Sequence, residues 1–118
     1  MENIVDIIKN LKDKKYKMVG MKLYKGLSVI GMNSKDLIYN KGVFTLGDTG
    51  IQVLWSTNVN KKGTPGWIVR EIIHINSDSK DNEVIENILY IGSNNDIYNV
   101  IAKALLLATE KRIEIILE

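Results

Sequence analysis

The sequence predicts an α+β fold. It reads as an N-terminal helix, an antiparallel β meander curling into a partly open barrel, a buried C-terminal helix and a final strand. Three observations carry that reading. Apolar residues recur with helical spacing near both ends of the chain. Between them they alternate with period two, and glycine-bearing turns cut the alternating runs into short strands. The length, 118 residues, suits one domain spanning 1–118.

Asn3–Lys14 is expected to be the first helix. Ile4, Ile7, Ile8 and Leu11 form one stripe, with Lys9, Lys12 and Asp13 on the other side. Five short strands are expected next: Tyr16–Tyr24, Leu27–Met32, Leu37–Asn40, Val43–Leu46 and Ile51–Trp55. Their separators are Lys25-Gly26, Asn33-Ser34, Lys41-Gly42 and Gly47-Asp48-Thr49-Gly50, and the last two read as hairpin turns. The spacing leaves no room for helical crossovers, so the sheet should be antiparallel. Ser56–Gly66 is a polar loop. Trp67–Ile75 alternates clearly, and Asn76–Asn82 is a second polar loop. Ile85–Ile91 fits strand better than helix. Ser93–Asp96 resembles a helix start, Ile97–Thr109 is the C-terminal helix, and Arg112–Glu118 reads as the closing strand.

Composition narrows the function classes. Hydrophobic residues make up 45% and charged residues 25%, the balance of a globular chain rather than a disordered one. The net charge of +2 conceals an asymmetry. Residues 1–62 hold eleven lysines against five acids, whereas residues 63–118 hold five basic residues against nine acids. A basic face and an acidic face follow, and with them an expectation of homo-oligomers. The basic residues are mostly lysine, with only Arg70 and Arg112 suited to bidentate phosphate contacts, so duplex DNA is not the expected partner. Without cysteine there is no disulfide, thiolate metal site or cysteine nucleophile, and a cytoplasmic location fits. Asp6, Lys9 and Asn10 interrupt the apolar start, so no signal peptide is expected, and no run is long enough to span a membrane.

No motif implies a cofactor, a metal or a catalytic set. Asp48-Thr49-Gly50 matches the aspartate motif of small retroviral-type aspartic proteases. Its flanking glycines favour a hairpin turn. His74 is the only histidine and has no ligand-spaced partner. Residues 76–83 are acidic like a calcium loop, but Lys80 takes a ligand position. The richest constellation runs from Trp55 to Arg70. Two tryptophans flank a polar loop with Asn58, Lys61 and Lys62, and Arg70 follows. Aromatic faces can stack on a base while the cations receive phosphate. Trp55, Asn58, Lys61, Lys62, Trp67 and Arg70 are therefore the expected ligand-binding residues.

Ser93–Glu118 carries a helix with Tyr98, Ala102, Ala104 and Ala108, a tight turn at Glu110-Lys111 and the strand Arg112–Leu117. This tail resembles the closing helix and strand of the OB-fold B subunits of AB5 toxins. The resemblance implies an oligomeric OB-like barrel. The short, cysteine-free profile also suits small phage anti-defence proteins, some of which sequester nucleotide signals. The expectation is an oligomeric binding protein for a small anionic, nucleotide-like ligand. The competing expectation is a protein–protein inhibitor acting through a charged face.

Overall fold

A computed structural model describes residues 3–59, 63–75 and 83–117. The fold is α+β, with N-terminal helices, an open five-stranded antiparallel sheet and a C-terminal helix. The first helix, α1, spans Ile4–Lys9 and is shorter than its apolar stripe predicts. Asp13 is the reason. Its carboxylate accepts from the backbone N–H groups of Lys15 and Tyr16 and starts a second helix, α2, over Lys14–Val29.

Helix α2 replaces the two strands expected at Tyr16–Tyr24 and Leu27–Met32. Val19, Gly20, Leu23 and Leu27 are buried along one face with helical spacing, and Gly26, which reads as a turn in the sequence, lies inside the helix. Gly20 is a close approach. A Cβ there would stand 2.9 Å from Cζ of Phe44 and 3.0 Å from Cγ1 of Ile8. Gly31, with φ of 82°, closes the helix. Its N–H bonds the Ser28 carbonyl, and the Met32 N–H bonds the Leu27 carbonyl at 2.8 Å, the paired bonds of a Schellman cap.

The sheet is a simple meander. Strands β1 (Leu37–Asn40), β2 (Val43–Leu46), β3 (Ile51–Ser56), β4 (Gly66–Ile75) and β5 (Glu83–Gly92) lie side by side in chain order. These strands agree with the alternation in the sequence. Lys41 and Gly42 both have positive φ, the two-residue turn whose twist matches a hairpin. Alternate residues face inward: Leu37, Phe44, Leu46, Ile51, Val53, Trp67 and Val69 are each at most 2% exposed.

The C-terminal helix, α3, runs Ile97–Leu117 after a 3-10 turn at Asn94–Asp96. The strand expected over Arg112–Glu118 is corrected: Arg112–Leu117 continues the helix, and Glu118 lies outside the described residues. Side-chain anchors accompany the longer helix. Lys111 Nζ pairs with Glu71 Oε2 at 2.9 Å, and Arg112 donates to the Gly31 carbonyl at the end of α2. A cation at a helix C-terminus is favoured by the helix dipole. Nor is α3 buried all round. Ile97, Val100, Ile101, Ala104 and Ala108 enter the core, while Tyr98, Leu106 and Ile113 remain exposed.

All three helices contribute to one core with the inner sheet face. The described residues therefore form two layers, and none of their helices lies on the outer face of the sheet. The β4–β5 hairpin also outruns its neighbours. Ile73 opposite Ile85, near its far end, are 39% and 44% exposed. The radius of gyration, 14.7 Å, exceeds the about 13.5 Å of a compact chain this long.

Candidate functional site

Trp55 and Trp67 are direct cross-strand partners on the inner face. Their ring centroids stand 5.3 Å apart at 68°. Trp67 is core: it is 1% exposed, its ring meets Tyr16 at 5.0 Å, and its Nε1 donates to Asn94 Oδ1 at 3.3 Å. Trp55 is half-buried, with Lys15 Nζ 5.8 Å from its ring centroid. Between them lies a depression of about 160 Å³ lined by Asp13, Lys15, Tyr16, Trp55 and Trp67. A site for a drug-sized ligand is usually above about 300 Å³.

Tyr16 holds this corner. Its hydroxyl donates to the Gly42 carbonyl and accepts from the Trp55 N–H, both at 2.9 Å. Burial raises its phenol above the ordinary value. Alternation had placed Tyr16 at the start of a strand, so its linking role was not visible in the sequence.

Arg70 stands on the other side of the sheet. Three residues separate it from Trp67, and in a strand an odd separation means opposite faces. Its Nε donates to Gln52 Oε1 at 2.9 Å, and its Nη1 pairs with Glu86 Oε2 at 3.0 Å. Gln52 in turn donates to Thr45 Oγ1 at 3.2 Å. Asn58 is exposed in the loop after β3, its N–H bonded to Ser56 Oγ. Lys61 and Lys62 lie outside the described residues. The two tryptophans thus come together, and Arg70 does not join them.

The other sequence motifs resolve locally. Asp48 is exposed in the β2–β3 turn. Thr49 Oγ1 donates to the Leu46 carbonyl at 2.7 Å and accepts from the Ile51 N–H at 3.2 Å. Gly47 and Gly50 take positive φ, so the segment works as a hairpin turn. His74 falls in β4, and the acidic loop 76–82 lies outside the described residues. Among the described residues, no three His, Cys, Asp or Glu side chains are placed to hold a metal. The tail expected to form a helix, a turn at Glu110-Lys111 and a closing strand is instead one helix from Ile97 to Leu117.

The outer sheet face is the larger feature. A row of apolar side chains crosses it: Val43 opposite Leu54, Leu54 opposite Ile68, and Ile68 opposite Ile91. Ile38 and Ile88 end the next row, opposite Thr45 and Arg70, and Ile72 lies beyond it; Ile38, Ile88 and Ile91 are 54%, 47% and 45% exposed. Between Ile38 and Ile88 that row holds Thr45, Gln52 and Arg70, and the Arg70 guanidinium is already paired with Glu86, which stands opposite Ile72. An antiparallel sheet with one wet face normally shows polar residues there. The signal was in the sequence, since Trp67-Ile68-Val69 and Val53-Leu54-Trp55 are apolar on both faces. No family model matches the chain, and searches of curated proteins and of solved structures likewise found no match.

Proposed function

We propose that this protein is an interaction module that pairs with a second copy of itself through the outer face of its sheet. One observation carries the reading: contiguous aliphatic residues from four strands lie on a face that no helix among the described residues covers. Isolated apolar side chains are ordinary on a surface, but a contiguous patch marks a contact site.

Charge selects a second copy as the occupant. The lysines concentrate in the first half of the chain, and five of them lie on α2. Two such helical faces repel each other. On the outer face the described strand residues bring only Arg70 and Glu86, which neutralise each other. A face of zero net charge with both signs side by side is suited to a two-fold, self-complementary contact. Val84 of the β4–β5 hairpin, 55% exposed on the same face as Arg70, adds apolar surface beside it. A nucleotide-like ligand held by Trp55, Trp67 and Arg70 fits less well, because the cation and the rings are on opposite faces.

Sedimentation equilibrium tests this. The wild type should give twice the 13.4 kDa chain mass at high micromolar concentration. A Leu54→Glu, Ile68→Glu double variant should give the single mass with unchanged circular dichroism. A wild type that stays monomeric, or a double variant that still pairs, overturns the reading.

A further inference from the structure

The sheet has a second unpartnered feature, at its opposite edge from β5. A groove of about 700 Å³ runs between α1 and the edge strand β1. Ile4, Ile7, Tyr24, Leu37 and Tyr39 give it apolar walls, and Lys35 brings a cation.

The backbone of β1 faces this groove. In a hairpin with a two-residue turn, the residues flanking the turn form a hydrogen-bonded pair, and bonded and non-bonded pairs then alternate. Lys41 and Gly42 are that turn, so Asn40 and Ile38 bond to Val43 and Thr45. Leu37 and Tyr39 consequently point their backbone groups away from β2. The Leu37 N–H is taken by the Ser34 carbonyl. The Tyr39 N–H, the Tyr39 C=O and the Leu37 C=O remain directed along the free edge. An apolar groove whose floor is an open strand edge and whose far wall is a helix is suited to strand addition.

We infer that the groove between α1 and β1 binds an extended peptide of another protein, which adds to β1 as a sixth strand. Its side chains alternate between the groove and solvent, so every second one is apolar. Charge gives the remaining preference. Lys35 stands in the lining, and the half of the chain that builds the groove carries eleven lysines against five acids. Asp6, on the α1 wall, is the opposing charge. The favoured peptide carries aspartate or glutamate beside its apolar residues. The site uses no second copy and shares only Ile38 with the outer face, so it stands or falls apart from the pairing proposed above.

The probe is a phage-displayed library of linear ten-residue peptides, selected on the intact protein. Selection should return peptides with apolar residues at every second position and acidic residues between them. Titrating the best synthetic peptide into ¹⁵N-labelled protein should shift the amide of Tyr39. Ile7→Ala should weaken binding about tenfold, and Lys35→Glu should weaken it several-fold with the fold intact. A selection without an alternating consensus overturns the inference. So does a peptide whose binding survives both substitutions, or one that Ile68→Glu alone abolishes.

Discussion

The two faces of the sheet are built from equally apolar residues and meet opposite fates. Inward, Phe44, Val53, Trp67 and Val69 are at most 1% exposed beneath three helices. Outward, their immediate neighbours Val43, Leu54 and Ile68 lie on a face that no helix among the described residues covers. Continuous apolar strands ordinarily belong to sheets covered on both sides. Here one cover is supplied within the chain. The difference teaches that burial in one copy and hydrophobic patterning can disagree, and that disagreement is what supports the proposed pairing.

Substitutions can break that comparison. The largest effect should come from Phe44→Ala, which empties a fully buried site and should cost about 3–5 kcal/mol. Ile68→Ser on the outer face should cost the folded monomer less than about 1 kcal/mol. Urea denaturation of both variants at low concentration checks this, and equal losses would mean that the faces are not different. Next come the two helix glycines. Gly20→Ala drives a methyl against Phe44 and Ile8, and overpacking of this kind costs about 1–3 kcal/mol. Gly26→Ala meets only the branched end of half-buried Leu105, so side-chain movement can offset the clash. Thermal melts should rank Gly20→Ala well below Gly26→Ala.

Neighbouring ion pairs sharpen the contrast further. Glu71 faces inward and is 8% exposed, paired with Lys111; Arg70 faces outward, paired with Glu86. Lys111→Met leaves a nearly buried carboxylate without its cation, a loss of about 1–3 kcal/mol. Glu86→Gln removes a surface charge whose pairing contributes less than about 1 kcal/mol. The Glu71 carboxylate raises the Lys111 ammonium above its ordinary 10.5. That stabilisation is complete below pH 10.5 and is lost as pH rises through the raised value. The gap between wild type and Lys111→Met should therefore narrow in strong alkali. The smallest effect belongs to Tyr90, whose hydroxyl donates to Asp96 just before α3. Hydrogen bonds from Tyr90 and Asn99 hold Asp96 below its usual 3.8. Tyr90→Phe should lower the melting temperature slightly at neutral pH, and the difference should fade as acid protonates Asp96.

Much of this fold was legible in the sequence, and each failure has a physical cause. Strands β1 to β5 followed from period-two alternation and from turns such as Lys41-Gly42. Helix α2 did not, because Lys25-Gly26 looks like a turn between two strands when Gly26 lies inside the helix against Leu105. The end of α3 did not either. Ile113, Ile115 and Leu117 alternate like a strand, while the ties of Lys111 to Glu71 and Arg112 to Gly31 are long-range and leave no local mark. At the expected site, the meeting of Trp55 and Trp67 follows from pairing across the hairpin. The separation of Arg70 from them was readable in its three-residue spacing. The groove between α1 and β1 was not, because it joins parts of the chain that only the tertiary fold brings together.

The central claim is that a second copy covers the outer face. The native chain has no cysteine, so a single thiol can report on one position. Alkylation of Ile68→Cys should be fast in dilute solution and strongly slowed at high protein concentration. Lys103→Cys, on α3, should react at one rate throughout. A rate at position 68 that is independent of concentration would contradict the account.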